Sequence, residues 1–358
     1  MGNRSSKVSE LADSGLAEIV WLQTSFIGDI VLTTAAMALA KQMWPNRRQH
    51  LITTKVGAQI LRDAPELASC HVFDKTGKGT WAAMSAVKRS LVASLGGRKA
   101  ILLRAHRSTR SMLLARTLGL PEITYKESSL SSLAWRRVSR VAVFHEAHRL
   151  AMLLEPLGVP RAEICGAMPK LQALALDEES DWQRELKKHQ GPIVAVAPGS
   201  VWGTKRWLPT HFAELIQRFS QIPTAKVVLL GSSAELDVAH EIAAILGSST
   251  DILNLVGKTS LDDMRRIFPR TRLLIANDSS PVHYASAFGV PTVAIFGATI
   301  PAMGFGPLAE GSRTVGVDLS CRPCSDHGPQ VCPRGHFQCM RNLTVDEVWS
   351  ACRQVLGM

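Results

Sequence analysis

The stretch that most constrains the fold is residues 272–297, which predicts a strand, a polar turn, a short helix and a second strand. The apolar run 273–276 ends in four polar residues that cap helices well, and Pro281 fits the first helical turn because that turn leaves its backbone N–H unused. Two parallel strands joined in this way bring polar groups to the carboxyl edge of a sheet, where open α/β folds bind ligands. The free N–H groups at the helix start favour an anion such as a diphosphate, with Asp278 and His283 beside it.

Strands and helices alternate along the rest of the chain in the same manner. Strands are predicted at 18–22, 49–53, 70–73, 100–104 and 138–144, and the pattern restarts at 192–197 after an irregular stretch, 158–176. A chain of 358 residues is long for one core. We therefore predict two doubly wound α/β domains with parallel sheets. The predicted division is a tail at 1–16, a first domain at 17–165, a second domain at 166–343 and a last helix at 344–358.

The positive charge is confined to the first half of the chain. Residues 1–160 hold 22 lysines and arginines against 11 acidic residues, whereas residues 161–358 hold 19 of each, so the net charge of +11 arises before residue 161. Such an imbalance predicts that the first domain meets an anionic surface, which leaves nucleic acid, anionic lipid and a phosphorylated glycolipid open. The candidate contacts share a position in this basic half: Lys88, Arg89, Arg98, Lys99, Arg104, Arg107, Arg110, Arg136 and Arg137.

Polar residues at the predicted strand ends suggest a nucleotide-diphosphate site. The second domain offers amides, hydroxyls and one cation from Ser200, Lys205, the 278–283 segment and Thr299. In the first domain, Asp29 is either a general base for an acceptor hydroxyl or a carboxylate that favours the helix dipole. Neither GxGxxG nor GxxxxGK[ST] is present, so the common dinucleotide and P-loop motifs are missing.

Four of the seven cysteines cluster near the C-terminus. Cys321 and Cys324 form a CxxC pair, but six residues separate Cys332 from Cys339. A zinc site is therefore an alternative to a metal-free loop of reduced thiols, with a disulfide as the third reading.

Several blocks in order resemble the lipopolysaccharide heptosyltransferases of glycosyltransferase family 9. The blocks are SFIGDIVLTTAAMALAKQMWP, VAVAPGSVWGTKRWLPTHFAEL, NLVGKTSLDDMRRI, IANDSSPVHYASAFGVPTVAIFGAT and CRPCSDHGPQVCPRGHFQCM. The cysteine-rich block and PGSVWGTKRW are most similar to members of type II. The resemblance implies a GT-B fold, in which two Rossmann-like domains face each other across a cleft, and a last helix that crosses back to the first domain. It also implies an inverting transfer of L-glycero-D-manno-heptose from ADP-heptose to the heptosyl-Kdo2-lipid A inner core.

The resemblance also assigns roles to residues. The base falls on Asp29 and the lysine that contacts phosphate falls on Lys205, and the donor block with its neighbours falls on Ser200, Glu235, Asp278, Ser279, Ser280, His283 and Thr299. The acceptor residues expected from the first domain are Thr24, Ser25, Arg107 and Arg110, although Phe26 stands where the family often has a small polar residue.

The implied partners are ADP-heptose, a phosphorylated lipid A acceptor and the inner-membrane surface, without a required cofactor and without nucleic acid. The implied location is the cytoplasm, at the face of the inner membrane, as a monomer. Heptosyltransferases I or III and another nucleotide-sugar transferase remain alternatives. A nucleic-acid-binding protein with a zinc module is disfavoured, because only 6% of residues are aromatic and no recognisable module occurs.

Overall fold

The computed structural model describes residues 18–74, 80–177, 180–247 and 250–358, so the predicted tail at 1–16 lies outside the described residues. The chain divides into two compact units between Gln172 and Ala173, seven residues beyond the predicted boundary. The division falls inside the irregular stretch 158–176 of the sequence.

The first unit is built on a parallel sheet of strands that are apolar and mostly buried. Among the described residues, the strand order is β3-β2-β1-β4-β5-β6. The strands are β1 (Glu18–Leu22), β2 (Gln49–Thr53), β3 (Leu67–Val72), β4 (Ala100–Arg104), β5 (Glu122–Tyr125) and β6 (Arg136–Val138). The helices are α1 (Ile27–Met43), α2 (Lys55–Leu61), α3 (Thr80–Leu95), α4 (Thr109–Leu118), α5 (Glu146–Ala151) and α6 (Arg161–Cys165).

The second unit repeats this topology. Its described strands pair in the order β12-β11-β10-β7-β8-β9, and every pairing is parallel. The strands are β7 (Ile193–Ala197), β8 (Lys226–Leu229), β9 (Ile252–Asn254), β10 (Thr271–Asn277), β11 (Thr292–Ile295) and β12 (Arg313–Val315). The helices are α7 (Asp181–Lys188), α8 (Pro209–Ser220), α9 (Leu236–Leu246), α10 (Leu261–Ile267), α11 (Ser280–Ala287), α12 (Gln338–Arg341) and α13 (Val345–Leu356).

Both sheets have the doubly wound order in which the first strand of the unit pairs with the fourth. In the first unit, the chain turns toward one side of the sheet after β1 and toward the other side after β4. In the second unit, it does the same after β7 and β10. The divergence opens a crevice at the carboxyl ends of the two strands in each unit. The topology therefore places a ligand site in each unit at that point.

The last helix, α13, lies within the range 344–358 predicted from the sequence. Thr344 caps it, with its hydroxyl accepting from the Glu347 N–H at 3.3 Å and the Glu347 carboxylate accepting from the Thr344 N–H at 2.8 Å. Its buried residues Val348 and Cys352 belong to the apolar core of the second unit, where the helix packs on α8 and on β10, β11 and β12. The expected return of this helix to the first domain stays a prediction. In the described part of the chain, no helix is both long and apolar enough to cross a membrane.

The predicted strand at 138–144 is wrong, because the strand is β6 and the chain then runs as a loop into α5. Three short strands, β5, β9 and β12, were not predicted.

In β5 the apolar pattern is interrupted by Glu122, which is buried and accepts from Arg104 Nε at 2.5 Å. This pair also corrects the interpretation of Arg104 as an acceptor contact, since its side chain is fully buried.

A hydrogen-bonded chain of polar side chains crosses β1, β2 and β3. His50 Nε2 lies 2.7 Å from Glu18 Oε2, and its Nδ1 lies 2.7 Å from Ser69 Oγ. The same hydroxyl lies 2.7 Å from His71 Nε2, and His71 Nδ1 lies 2.8 Å from Ser90 Oγ. Burial, with a smaller effect of His50, lowers the pKa of His71 to about 4.

The buried position of His71 in this hydrogen-bonded network predicts that acid destabilises the fold. Because the pKa of His71 is lowered on folding, its contribution to stability is complete above pH 6.5 and is lost as the pH falls toward 4. We expect the free energy of unfolding to drop by about 2 kcal/mol over this window, after allowance for solvent screening. Urea unfolding at stepped pH measures it. His71→Gln should flatten the dependence, whereas the exposed His240→Gln should keep the wild-type slope; equal slopes for all three proteins would contradict the assignment.

Candidate functional site

The carboxyl end of β1 presents a carboxylate in a fixed orientation. Asp29 is the third residue of α1 and is partly exposed. Ser25 Oγ donates to Asp29 Oδ2 at 2.5 Å, and Thr33 Oγ1 donates to the Asp29 carbonyl oxygen at 2.7 Å. The structure therefore places Asp29 where the sequence predicts it, at the crevice end of the sheet, with Ser25 holding its side chain.

A cluster of hydroxyl groups joins the loop after β1 to the loop after β4. His106 Nδ1 lies 2.9 Å from both Thr24 Oγ1 and Ser111 Oγ, and 3.2 Å from Ser108 Oγ. Thr24 is buried. Its hydroxyl therefore connects the loop after β1 to the loop after β4. The direct contact of Thr24 with an acceptor stays a prediction.

Behind Asp29 lies a group of charged residues that the sequence analysis did not find. Glu146 is buried at the start of α5, is ion-paired with Arg140 and accepts from Arg149 Nη1 at 3.1 Å. Burial raises the pKa of Glu146; the charge of Arg140 opposes this, and the negative charge of nearby Asp29 adds to it. Asp29 thus stands at the rim of a mixed-charge cluster. The wrongly predicted strand at 138–144 helped to conceal the cluster, because it placed Arg140 inside a strand.

Arg107 and Arg110 reach the same edge of the first sheet. Both are exposed, Arg107 in the loop after β4 and Arg110 in the first turn of α4. The carbonyl oxygen of Arg107 accepts from Ser129 N at 3.3 Å and from Ser129 Oγ at 3.2 Å, which ties its loop to the one after β5. The structure therefore brings Asp29 and the two predicted acceptor arginines to adjacent strand ends.

In the second unit, a buried cluster lies where β7, β10 and β11 end. Lys205 Nζ donates to Asp278 Oδ2 at 2.6 Å, and Thr299 Oγ1 donates to the same oxygen at 2.6 Å. The side chains of Lys205 and Asp278 are 11% and 7% exposed. Because Asp278 accepts from both neighbours, it holds the ammonium group and the hydroxyl in one place. Three of the predicted donor residues are thus in direct contact.

The remaining donor-site candidates surround this cluster. Ser279 and Ser280 stand at the start of α11, where Ser279 donates to the Asn277 carbonyl oxygen at 3.1 Å and makes no cap to the helix N–H groups. His283 is buried on that helix, with its ring centroid 6.1 Å from that of Phe305. Ser200 is buried in the turn after β7, where its hydroxyl accepts from Trp202 N at 3.3 Å.

Glu235 lies at the end of β8, beside the turn after β7. Its carboxylate accepts from Ser232 N at 2.5 Å and from Ser232 Oγ at 2.6 Å. A β-carbon on Gly199 would lie 2.3 Å from Glu235 Cγ, so only glycine allows this approach. The structure therefore places Glu235 at the edge of the donor site, and its contact with a ribose stays a prediction.

Asn277 is a site residue that the sequence analysis used only as a turn residue. Its fully buried side chain donates to the Pro198 carbonyl oxygen at 2.6 Å and accepts from Trp207 N at 3.0 Å. It joins the ends of β10 and β7 beneath the Lys205–Asp278 pair. Its position directly after the predicted apolar run 273–276 was the signal that could have identified it.

The cysteine-rich segment packs on this site. Arg322 donates to the carbonyl oxygens of Gly297, Phe296 and Thr299 at 2.5, 2.9 and 2.8 Å. Gly328 adopts a positive φ of 79°, and a β-carbon there would lie 3.4 Å from Lys205 Cγ. The segment thus fixes the loop after β11 and covers Lys205.

Among the described residues, the cysteines of that segment form no disulfide. Cys321, Cys324 and Cys332 are partly exposed, and Cys339 is buried. Among the described residues, no group of three or more His, Cys, Asp or Glu side chains is placed to hold a metal ion. The zinc site and the metal-free loop of reduced thiols both stay predictions.

Comparison with known proteins agrees with these features. Residues 89–331 match the family model described as glycosyltransferase family 9 (heptosyltransferase). Lipooligosaccharide heptosyltransferase 2 of Campylobacter jejuni subsp. jejuni serotype O:2 is 32% identical over 167 residues, or 46% of this chain and 51% of that protein. This chain thus matches about half the length of that relative. Lipopolysaccharide heptosyltransferase 1 of Pseudomonas aeruginosa is 26% identical over 323 residues, or 86% of this chain and 85% of that protein.

The fold has a counterpart of known structure. The solved structure of Escherichia coli ADP-heptose LPS heptosyltransferase II matches with a TM-score of 0.76 and 20% sequence identity, covering 95% of this chain and 99% of that chain. At this identity the likeness speaks for the fold alone. It confirms the predicted GT-B fold with two Rossmann-like domains.

Proposed function

The chain belongs to glycosyltransferase family 9, the heptosyltransferases, and we propose that it transfers L-glycero-D-manno-heptose from ADP-heptose to the heptosyl-Kdo2-lipid A inner core of lipopolysaccharide. This is the reaction of a type II enzyme, the type named for the Campylobacter relative and for the Escherichia coli structure. The observation that carries the proposal is the buried Lys205–Asp278–Thr299 cluster, because it sets one cation beside the free N–H groups of α11. Such a pairing suits a diphosphate.

In the proposed reaction the first unit supplies the base. Asp29 accepts the proton of the acceptor hydroxyl. The acceptor oxygen forms a bond to the anomeric carbon of the heptose while the bond from that carbon to the diphosphate oxygen breaks. The electron pair leaves with ADP, and attack from the opposite face inverts the anomeric configuration. Ser25 supports this role, because its hydrogen bond aims the Asp29 carboxylate.

The second unit holds the donor in this proposal. Lys205 offsets the negative charge that grows on the leaving diphosphate, and Asp278 keeps its ammonium group in position. Lys205 thereby supplies the charge that a divalent cation supplies in metal-assisted transfer, so the proposed reaction needs no metal. Glu235 binds the ribose at the neighbouring strand end.

The acceptor is assigned to the first unit because of its charge. Arg107 and Arg110 are exposed beside Asp29, and the whole net charge of +11 arises in residues 1–160. A phosphorylated glycolipid in an anionic membrane is the partner that this charge favours. We therefore propose that the protein acts at the cytoplasmic face of the inner membrane; its action as a monomer is a separate part of the proposal.

A panel of acceptors tests the proposed type. With ADP-heptose as donor and EDTA present, we expect transfer to heptosyl-Kdo2-lipid A to exceed transfer to the same acceptor without its heptose by at least about tenfold, since acceptor contacts decide such ratios. Mass spectrometry of the acceptor measures both rates.

Type I is the second candidate, because a relative named heptosyltransferase 1 aligns with 86% of this chain. A preference for the acceptor without heptose would favour type I and reject type II. No transfer to either acceptor, with protein that binds ADP, would reject both.

A further inference from the structure

The loops at the carboxyl edge of the first sheet expose large apolar side chains that nothing in the proposed chemistry uses. They follow three different strands, β1, β5 and β6. We call them the apolar rim: Phe26, Leu130, Leu133 and Val143, which are 68%, 57%, 57% and 84% exposed. Large apolar groups exposed together at one edge mark an interaction site more often than single ones do.

Hydrogen bonds tie the loops of the apolar rim to one another. Thr24, next to the Phe26 loop, contacts His106 in the loop after β4. The carbonyl oxygen of Arg107 in that loop accepts from Ser129 beside Leu130. The Glu127 carboxylate accepts from Arg140 N at 3.2 Å, which joins the loop after β5 to the one after β6. The loops that carry the apolar rim are therefore connected to one another.

Leu130 is held in an unfavourable conformation that turns it outward. Its φ of 48° and ψ of 37° lie in the left-handed region, where a leucine costs about 1–2 kcal/mol relative to glycine. Ser131 N donates to Ser128 O at 3.1 Å and Ser131 Oγ donates to Lys126 O at 2.7 Å, so the loop is fixed around it. Strained residues persist where the structure has a use for them. Because the Leu130 side chain is 57% exposed, burial in the core of the unit does not explain this conformation.

The apolar rim is surrounded by basic side chains. Lys126, Arg107 and Arg110 are exposed, and Arg140 is half-buried and ion-paired with Glu146. Glu127 is exposed and Asp29 is partly exposed at the same edge. Separate apolar side chains on loop tips with arginines between them differ from the flat apolar core of a protein interface. They match the pattern of proteins that bind the interface of an anionic bilayer.

We propose that the apolar rim and the arginines beside it form a docking surface for an anionic lipid bilayer. The biological role of this docking rests on the proposed function. In the docked state, Leu130 and Leu133 enter the headgroup region while the acceptor sugar lies at Asp29, on the same sheet edge. Docking would then bring the membrane-anchored acceptor to the base without a membrane-spanning segment from this surface.

Vesicle flotation tests the surface without any substrate. We expect the full chain to bind vesicles of phosphatidylcholine with phosphatidylglycerol, to bind pure phosphatidylcholine more weakly, and to lose affinity as salt rises. Leu130→Ser with Leu133→Ser should lower the partition coefficient by about tenfold. Ile245→Ser with Val331→Ser removes two exposed apolar groups of the second unit and should leave it unchanged.

Leu130→Gly separates docking from folding. Because glycine adopts the left-handed region readily, this variant should unfold at the same or a higher temperature while it binds vesicles several-fold more weakly. A variant that is less stable yet binds vesicles as the wild type does would overturn the proposal.

Two further outcomes would overturn the proposal. One is wild-type protein that does not bind anionic vesicles. The other is a wild-type dimer that Leu130→Ser with Leu133→Ser converts to a monomer, which would make the apolar rim a self-association site.

Transfer to a water-soluble acceptor without acyl chains distinguishes the docking proposal from the proposed function. The leucine variants should transfer heptose to this acceptor at the wild-type rate. Absence of transfer in the wild type itself would reject the proposed function and leave the flotation result intact.

Discussion

Asp29→Asn is expected to reduce the turnover of heptose transfer by a factor of about 10²–10⁴, the range of general-base catalysis. Asparagine keeps the size of the side chain, and its Oδ1 can still accept the hydrogen bond from Ser25 Oγ that the structure shows at 2.5 Å. What it loses is the ability to take a proton from the acceptor. Steady-state kinetics with saturating ADP-heptose and acceptor measure the loss in kcat.

Two controls make the Asp29 result specific. Binding of ADP to the Asp29→Asn protein should equal that of the wild type in calorimetry, because the donor cluster lies in the second unit. Asp63→Asn, an exposed carboxylate of the first unit, should leave turnover unchanged. An Asp29→Asn protein with wild-type turnover means that another group takes the proton.

Lys205→Ala is expected to lower kcat by about 10²–10³ and to weaken ADP binding. The ammonium group is the cation that would meet the leaving diphosphate, and loss of one such group from a buried site has this order of effect. The substitution also leaves the Asp278 carboxylate buried without its ion pair. That carboxylate would then repel the donor phosphates, which adds to the loss.

A double variant separates these two effects. Lys205→Ala with Asp278→Asn should bind ADP more tightly than Lys205→Ala alone, because the second change removes the uncompensated charge; calorimetry gives both constants. Lys188→Ala, at an exposed lysine of α7, is the matched control and should be neutral. Equal ADP binding by Lys205→Ala and the wild type would remove Lys205 from the donor site.

The donor site could be predicted from the sequence because its residues follow strands with strong apolar patterns. β7 and β10 are buried runs, and each ends in a run of glycine, proline or small polar residues, so Lys205, Asp278 and Thr299 could be placed at one sheet edge before any coordinates. The topology then required that they meet. Their contact through one oxygen of Asp278 is a matter of side-chain packing, which periodicity does not encode.

The first unit was predicted less well because its sheet contains buried charge. Glu122 in β5 pairs with Arg104, so the strand does not look apolar, and Arg104 looks like a surface arginine. With β5 missed, the strand after it was extended through residues that form the loop before α5. Glu146, Arg140 and Arg149 therefore escaped attention, although they lie behind Asp29.

In the cysteine-rich segment, a clear sequence pattern drew attention away from the residue that makes the important contacts. The spacing of Cys321 and Cys324 suggested a metal site, while the contacts that matter come from Arg322 between them. An arginine that donates to four backbone carbonyl oxygens, those of Gly297, Val317, Phe296 and Thr299, leaves no pattern in the sequence. Only the coordinates show that this segment supports the loop carrying Thr299.

The central claim is that this chain moves a heptosyl group from ADP-heptose to a lipid-linked acceptor. Its most direct test is a single reaction in EDTA with purified protein, ADP-heptose and the acceptor, followed by the intact mass of the acceptor and by the ADP released. We expect the acceptor to gain one heptosyl unit for each ADP formed. An unchanged acceptor mass with ADP-heptose, together with a gain in mass from a UDP- or GDP-sugar, would contradict it.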